Sequence, residues 1–173
     1  MKKKFKGFGF KAHIEEVSWS FIQCYPSTYV AGLYLNKRYP DIKKIMCLGI
    51  DLLAEELRNA GLEVNHIKEV TYDKHPVEVS KYYDADCHAV IAGIDYNMNY
   101  AKATLAGIQI QRGSKFFGTN PDHFTIVQGF KTPGAGSMLS MIEKASKVKP
   151  EIVGKPNPFI LEHLIEENKL DRK

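Results

Sequence analysis

An early part of the chain has the pattern of a strand, a helix and a second strand in immediate succession. The apolar run Lys44–Leu48 predicts a buried strand. Asp51 is a good N-cap for a helix over Leu52–Ala60, which Gly61 is well suited to end. A second strand pattern follows over Leu62–Ile67. Strands joined by a helical crossover run parallel, so at least part of the sheet is predicted to be parallel.

The rest of the chain alternates between the same two kinds of element. Further strand patterns lie at Ala89–Ile94, Lys115–Gly118 and Ile152–Val153. Further helices are predicted over Ser27–Lys37, from Asn97 or Asn99 to Gln111, over Ser137–Lys147, and from the capping residue Asn157 to about Asn168. This alternation predicts an α/β fold with a mixed or mostly parallel sheet and flanking helices.

Three short polar turns with little side-chain bulk lie in the last third of the chain. They occupy Gly118–Asp122, Pro133–Ser137 and Gly154–Pro156, and the first and third directly follow strand patterns. In an open α/β sheet, ligands usually bind at loops that leave the carboxyl ends of the strands. These turns are therefore predicted to form the functional edge of the molecule.

Charge and cysteine content restrict the class of protein. The net charge is +4, but Met1–Lys11 holds five lysines and no acid, so the remainder has 24 − 5 = 19 bases against 20 acids. A neutral body argues against a nucleic-acid-binding face. The three cysteines are far apart and fit no metal-ligand spacing, which is typical of reduced intracellular thiols. With no secretory signal and no membrane-length apolar run, a cytoplasmic protein is expected.

Two motifs suggest other chemistries that their context does not support. Lys6–Phe10 matches the start of an RNA-recognition strand, but Lys11 and His13 break the rest of that motif. Asp84 and Asp86 could act as nucleophile and general acid, but they precede a strand, whereas such a nucleophile follows one. The histidines show no spacing suited to zinc.

Two other features suit an anion. Gly134–Gly136 places small residues at a helix N-terminus, where open N–H groups can face an anion, although Leu139 and the lack of a following Gly-Lys-Ser/Thr exclude the common nucleotide fingerprints. Lys155 lies between a glycine and a proline, after a strand and before a helix. A compact ammonium held on such a rigid loop suits a phosphate or a carboxylate.

Five sequence blocks in a fixed order carry a resemblance to a known family. The blocks are VIAGID, YAKA, FFGTNPD, TPGAGS and IVGKPNPFI. With them the chain closely resembles the p-nitrophenylphosphatase and phosphoglycolate phosphatase branch of the haloacid dehalogenase superfamily, over roughly four-fifths of its length. The resemblance implies a Rossmann-like core with a large inserted α/β cap domain, and Mg²⁺-dependent hydrolysis of phosphomonoesters.

The same resemblance implies roles for residues of the three turns. Lys155 would neutralise the substrate phosphate and the nucleophile, as the lysine of the family's Gly-Lys-Pro motif. Asn120, Asp122, Gly134 and Ser137 would lie near the substrate at the mouth of the active site. The expected ligand is a phosphorylated small molecule, and a homodimer through the cap domain is expected because such domains often pair.

The chain departs from the family pattern at its other motifs. No strand runs into Asp-x-Asp-Gly, and neither the hydroxyl-bearing second motif nor the Mg²⁺-binding Gly-Asp motif is found. The expected division is a core-helix stub with an aromatic segment (1–26), a cap-like domain (27–148) and a core stub with Gly-Lys-Pro (149–173). We therefore expect no phosphatase activity from this chain alone. The alternative is a non-catalytic structural or interaction module derived from the cap domain.

Overall fold

The computed structural model describes residues 26–70, 81 and 83–168. The helices are α1 (Ser27–Arg38), α2 (Asp51–Asn59), α3 (Tyr100–Gln111), α4 (Ala135–Ser146) and α5 (Phe159–Asn168). The strands are β1 (Lys44–Leu48), β2 (Glu63–His66), β3 (Ala89–Ala92), β4 (Lys115–Gly118), β5 (Phe124–Val127), β6 (Phe130–Pro133) and β7 (Glu151–Ile152). The basic arm, the RNA-like motif and the aromatic segment predicted within residues 1–25 lie outside the described residues.

Five strands form one parallel sheet in the order β2-β1-β3-β4-β7. The predicted α/β class with a mostly parallel sheet and flanking helices is confirmed. Strand β2 lies on one side of β1, and the next strand in the chain, β3, lies on the other side. The direction in which strands are added therefore reverses between β1 and β3. Crevices at such a reversal, outside the carboxyl ends of the strands, are where α/β sheets bind ligands. The division into regions 1–26, 27–148 and 149–173 stays a prediction.

The core lies on both faces of this sheet. In β1, Ile45 and Cys47 face the cluster beneath α1 and α2, whereas Met46 and Leu48 face the cluster beneath α3 and α4. This period of two is inherent in a strand. Because both faces are covered, the strand sequence is a continuous apolar run and not an alternating one. No helix within the described ranges is long and apolar enough to cross a membrane.

The start of α3 agrees with the prediction, whereas that of α2 does not. Asn99 accepts a hydrogen bond from the Lys102 N–H at 2.9 Å, so its predicted cap is confirmed. Asn157 accepts a hydrogen bond from the Phe159 N–H at 3.0 Å, but the Glu162 N–H bonds to the Pro158 carbonyl, so Pro158 holds the capping position of α5. The predicted Asp51 cap was wrong, because Ile50 holds the capping position and α2 begins at Asp51 itself. The Asp51 carboxylate instead lies 2.7 Å from the Lys68 ammonium.

A β-hairpin was missed by the sequence analysis. Strands β5 and β6 pair antiparallel, outside the five-stranded sheet. The turn between them holds Gln128 at φ 51° and Gly129 at φ 83°, as a two-residue turn with positive φ at both positions requires. Glutamine is not a typical residue for the first of these positions, so the turn gives a weak signal. Four large apolar side chains of the hairpin are exposed: Phe124, Ile126, Val127 and Phe130.

Candidate functional site

Lys155 lies on a loop that continues the hydrogen-bond ladder between β4 and β7. The Val153 N–H donates to the Gly118 carbonyl at 2.9 Å, and the Gly154 N–H donates to the Thr119 carbonyl at 3.1 Å. A Cβ at residue 154 would come within 2.2 Å of the Thr119 oxygen, so only glycine allows this approach. The Lys155 side chain itself is exposed at the carboxyl edge of the sheet.

The loop after β4 and the start of α4 pack backbone to backbone. Asn120 Oδ1 accepts a hydrogen bond from the Asp122 N–H at 3.1 Å, which folds the loop into a tight turn. The Gly136 N–H then donates to the Asp122 carbonyl at 2.8 Å, and the Gly134 N–H donates to the His123 carbonyl at 2.9 Å. A Cβ on Gly134 would lie 2.3 Å from the Asp122 oxygen. The glycines of this turn are therefore needed for close backbone contact.

Four polar groups at the start of α4 are engaged within the protein. Besides the two glycine N–H groups, the Ser137 N–H donates to the Gly134 carbonyl at 3.1 Å, and the Ser137 hydroxyl donates to the His123 carbonyl at 2.5 Å. These bonds position the loop after β4. They account for Gly134 and Ser137 without a ligand, and direct substrate contact by either residue stays a prediction.

The predicted site residues thus lie in two adjacent loops. Asn120, Asp122, Gly134 and Ser137 belong to one packed unit that follows β4. Lys155 belongs to the neighbouring loop, which the Gly154–Thr119 hydrogen bond joins to the first. The Asp122 and Lys155 side chains are both exposed. The structure therefore places the three turns next to one another, and their role as the functional edge stays a prediction.

A cluster around Glu151 was not foreseen. The Tyr34 and Tyr39 hydroxyls both donate to the Glu151 carboxylate, and the Tyr39 bond measures 2.5 Å. The hydrogen bond to Glu151, with burial, raises the pKa of Tyr39 to about 12. Burial, followed by the bond to Glu151, raises the pKa of Tyr34. No sequence signal links residues 112 or 117 positions apart, so the cluster could not be predicted.

A buried ion pair lies at the carboxyl end of β3. The Lys102 ammonium is 2.8 Å from the Asp95 carboxylate, and these side chains are only 2% and 6% exposed. Asp95 also accepts a hydrogen bond from the Asn97 N–H at 2.8 Å. The pair therefore fixes the loop between β3 and α3, beside the reversal in strand order. Both residues fall in the blocks VIAGID and YAKA, but nothing in the sequence shows that they pair.

The described residues do not fit a metal ion. No group of three or more histidines, cysteines or acids in residues 26–70, 81 and 83–168 is arranged to hold one. Asp84 lies at the opposite, amino-terminal edge of the sheet, where its carboxylate pairs with the Lys44 ammonium at 2.9 Å. No step of a reaction is therefore assigned to Mg²⁺ bound by these residues.

No protein-family model matches the chain. Phosphoglycolate phosphatase 1A, chloroplastic, of Arabidopsis thaliana is 28% identical over 170 residues, or 94% of this chain and 44% of that protein. The hypothetical protein PH1952 of Pyrococcus horikoshii OT3 is 31% identical with a TM-score of 0.69, and the match covers 88% of this chain and 54% of that chain. The p-nitrophenyl phosphatase of Archaeoglobus fulgidus shares the fold, with a TM-score of 0.68 at 24% identity over 98% of this chain and 56% of that one.

The chain therefore spans about half the length of the proteins it matches. Its sequence relatives and structural neighbours include phosphatases named for phosphoglycolate and for p-nitrophenyl phosphate. The resemblance predicted from the sequence, to the p-nitrophenylphosphatase and phosphoglycolate phosphatase branch of the haloacid dehalogenase superfamily, is confirmed by these relatives.

Proposed function

We propose that this chain supplies the cap domain and the phosphate-binding lysine of a phosphomonoester phosphatase of the phosphoglycolate or p-nitrophenyl phosphate type. The observation that carries the proposal is the exposed Lys155 ammonium, on a loop held against β4, at the carboxyl edge of a parallel sheet. A compact cation in that position suits the charge of a phosphate. The similarity to phosphoglycolate and p-nitrophenyl phosphatases favours a phosphomonoester over a carboxylate.

The chemistry available to the chain is limited to charge stabilisation. Hydrolysis through a covalent phosphoryl intermediate needs a nucleophile as well as groups that stabilise developing charge. The 173 residues contain no Asp-x-Asp-Gly sequence. We therefore propose that the chain alone binds phosphate without turning over a phosphomonoester, and that Mg²⁺, implied by the resemblance, binds to ligands that the described residues do not provide.

Two measurements on the full chain test this function. With p-nitrophenyl phosphate and Mg²⁺ we expect no turnover. In a titration with inorganic phosphate followed by NMR, we expect the amide signals of Gly154 and Lys155 to shift. The shift of Gly154 should be lost in Lys155→Ala. It should be kept in the control Lys149→Ala, which removes an exposed lysine before β7. Mg²⁺-dependent turnover that Lys155→Ala abolishes would refute the claim of inactivity. Phosphate binding that survives Lys155→Ala would refute the role of the lysine.

The exposed hairpin favours a second candidate, a non-catalytic interaction module. Its exposed side chains lie on both faces, with Phe124 and Ile126 on one and Val127 and Phe130 on the other. Exposed apolar side chains grouped in this way mark interaction sites. We propose that a second copy of this chain covers the hairpin, which gives the homodimer that the resemblance implies. Phe130, which is 74% exposed, is the most exposed of the four.

Sedimentation analysis over a range of concentrations tests this pairing. We expect a dimer that Phe130→Ser converts to a monomer, while the control Leu161→Ser on α5 leaves the mass unchanged; Leu161 is also exposed. A wild-type monomer at every concentration would exclude the pairing. If the chain forms a dimer and its phosphate titration does not depend on Lys155, the interaction module is favoured over the phosphatase function.

We also propose a cytosolic location. Among the described residues, Cys47 and Cys87 are buried thiols without a disulfide partner. Free thiols of this kind are usual in a reducing compartment. Fractionation of cells that express the protein from its own gene tests the proposal, and recovery in a secreted or membrane fraction would contradict it.

A further inference from the structure

The strand that leads to Lys155 is very short. β7 consists of Glu151 and Ile152 and pairs on one side with β4. A strand of this length makes few ladder hydrogen bonds, and the Val153 and Gly154 N–H groups add two more after it. Contacts of the side chains of β7 add further restraint on the loop of Lys155.

Glu151 supplies one such contact through both of its carboxylate oxygens. Oε1 accepts from the Tyr34 hydroxyl and Oε2 from the Tyr39 hydroxyl. Hydrogen bonds to a carboxylate are stronger than those between neutral groups. The Tyr39 hydroxyl is protonated at neutral pH and is a donor there, and the bond to Glu151 raises its pKa to about 12.

The two tyrosines are themselves held by aromatic packing. Tyr34 meets Phe159 of α5 edge to face, with ring centroids 4.9 Å apart and planes at 82°. Tyr39 meets Phe117 of β4 with centroids 5.1 Å apart and planes at 65°. Such geometry is favourable for aromatic pairs. Glu151 is therefore bound to side chains that pack against the core.

The segment after Lys155 also contacts helix α1, through α5. The Asn157 side-chain amide donates to the Ile152 carbonyl at 2.9 Å, which closes the loop on β7. Lys37 of α1 lies 3.0 Å from Glu166 of α5, and Arg38 lies 3.4 Å from Glu162. Helix α1 and the following residue, Tyr39, thus contact both β7, which precedes Lys155, and α5, which follows it.

We infer that Glu151 is a positioning residue for Lys155. Its carboxylate, held by the Tyr34 and Tyr39 hydroxyls, fixes β7 and with it the loop that presents the ammonium group to phosphate. The inference rests on the proposed function in one respect, namely that phosphate is the ligand of Lys155.

Hydrogen exchange tests the positioning without a ligand. In Glu151→Ala we expect the Gly154 N–H to exchange about tenfold faster, because the hydrogen bonds to a charged group are lost, while amides of β1 and β3 keep their rates. Glu151→Gln retains acceptor and donor groups and should restore part of the protection. Glu63→Ala is the matched control, since Glu63 begins the opposite edge strand and its exposed carboxylate makes an ion pair with the partly buried Lys44.

Titration with inorganic phosphate supplies the second measurement. We expect Glu151→Ala to raise the dissociation constant about tenfold, with Glu63→Ala unchanged. If Glu151→Ala does not fold, the double variant Tyr34→Phe, Tyr39→Phe removes the same hydrogen bonds and keeps both rings. Unchanged exchange at Gly154, or faster exchange with unchanged phosphate affinity, would overturn the inference. If the wild type shows no phosphate binding that depends on Lys155, the proposed function fails, and the exchange rates alone decide the role of Glu151.

Discussion

The Gly154 N–H donates to the Thr119 carbonyl at 3.1 Å, and this bond joins the two loops of the candidate site. A methyl group at residue 154 would lie 2.2 Å from the same oxygen. We therefore expect Gly154→Ala to lower the free energy of unfolding by about 2–3 kcal/mol and to weaken phosphate binding. Urea denaturation measures the first effect and the NMR titration the second.

Gly107→Ala is the matched control for that substitution. A Cβ at this position in α3 would meet the Ala145 side chain at 3.6 Å, an ordinary contact. Because alanine is the better residue inside a helix, we expect this variant to be more stable by about 0.5–1 kcal/mol. Equal effects of the two substitutions would contradict the assigned role of Gly154.

The buried pair of Asp95 and Lys102 should be costly to break. Lys102→Met leaves the Asp95 carboxylate buried and unpaired, so we expect a loss of about 3–5 kcal/mol in the free energy of unfolding. Combining it with Asp95→Asn should recover part of the loss, because the unpaired charge is then removed. For the exposed pair of Arg38 and Glu162, Arg38→Met should cost less than about 1 kcal/mol. Similar losses at the two pairs, measured in urea, would contradict this account.

The tyrosine contact with Glu151 makes stability depend on alkaline pH. The pKa of Tyr39 is about 12 in the folded protein, above its value of about 10 in the unfolded chain. A raised folded pKa gives stabilisation that is fully present below about pH 10 and is lost as the pH rises toward about 12. We expect Tyr39→Phe to reduce this alkaline loss. Urea midpoints of both proteins across that range provide the test, and identical slopes would rule out the contribution of Tyr39.

Two substitutions in the turn of the β5–β6 hairpin should change the stability of the hairpin in opposite directions. Gln128 has a φ of 51°, which strains a residue with a side chain, so Gln128→Gly should favour the hairpin by about 0.5–1 kcal/mol. Gly129 has a φ of 83°, and Gly129→Ala should disfavour it by about 1–2 kcal/mol. The NMR shifts of Phe124 and Phe130 report the hairpin population. Equal responses to the two changes would show that the turn has another geometry.

Helices and strands of the sheet could be predicted because their signals are local. Buried parallel strands give unbroken apolar runs, and Gly61 and Gly113 have the positive φ of 88° and 108° expected of residues that end helices. The start of α2 was mispredicted because an extended Ile50, bonded to Ile94 through its N–H, takes the place that the sequence offers to Asp51. That contact is not local.

The candidate site could also be predicted only where its signals are local in the sequence. The turns after β4 and β7 come together because the carboxyl ends of parallel strands share one edge of the sheet. The turn Pro133–Ser137 follows the hairpin instead, and hydrogen bonds from Gly134 and Gly136 join it to the loop after β4. The small residues Gly134 and Gly136 suggested an open helix start for an anion, but in the structure they admit the loop after β4. The contacts of Glu151 with Tyr34 and Tyr39 join distant parts of the chain, so no sequence pattern reveals them.

The attachment of one helix to both flanks of the Lys155 loop has an energetic consequence for ligand binding. Glu151 holds β7, and the exposed pairs of Glu162 and Glu166 add weak contacts between α1 and α5, so part of the backbone around the lysine is ordered when the protein folds. A small anion that arrives there need restrict only the lysine side chain. Since ordering a loop on binding subtracts from affinity, this preorganisation lets a single surface ammonium contribute more to anion affinity than it could from a flexible loop.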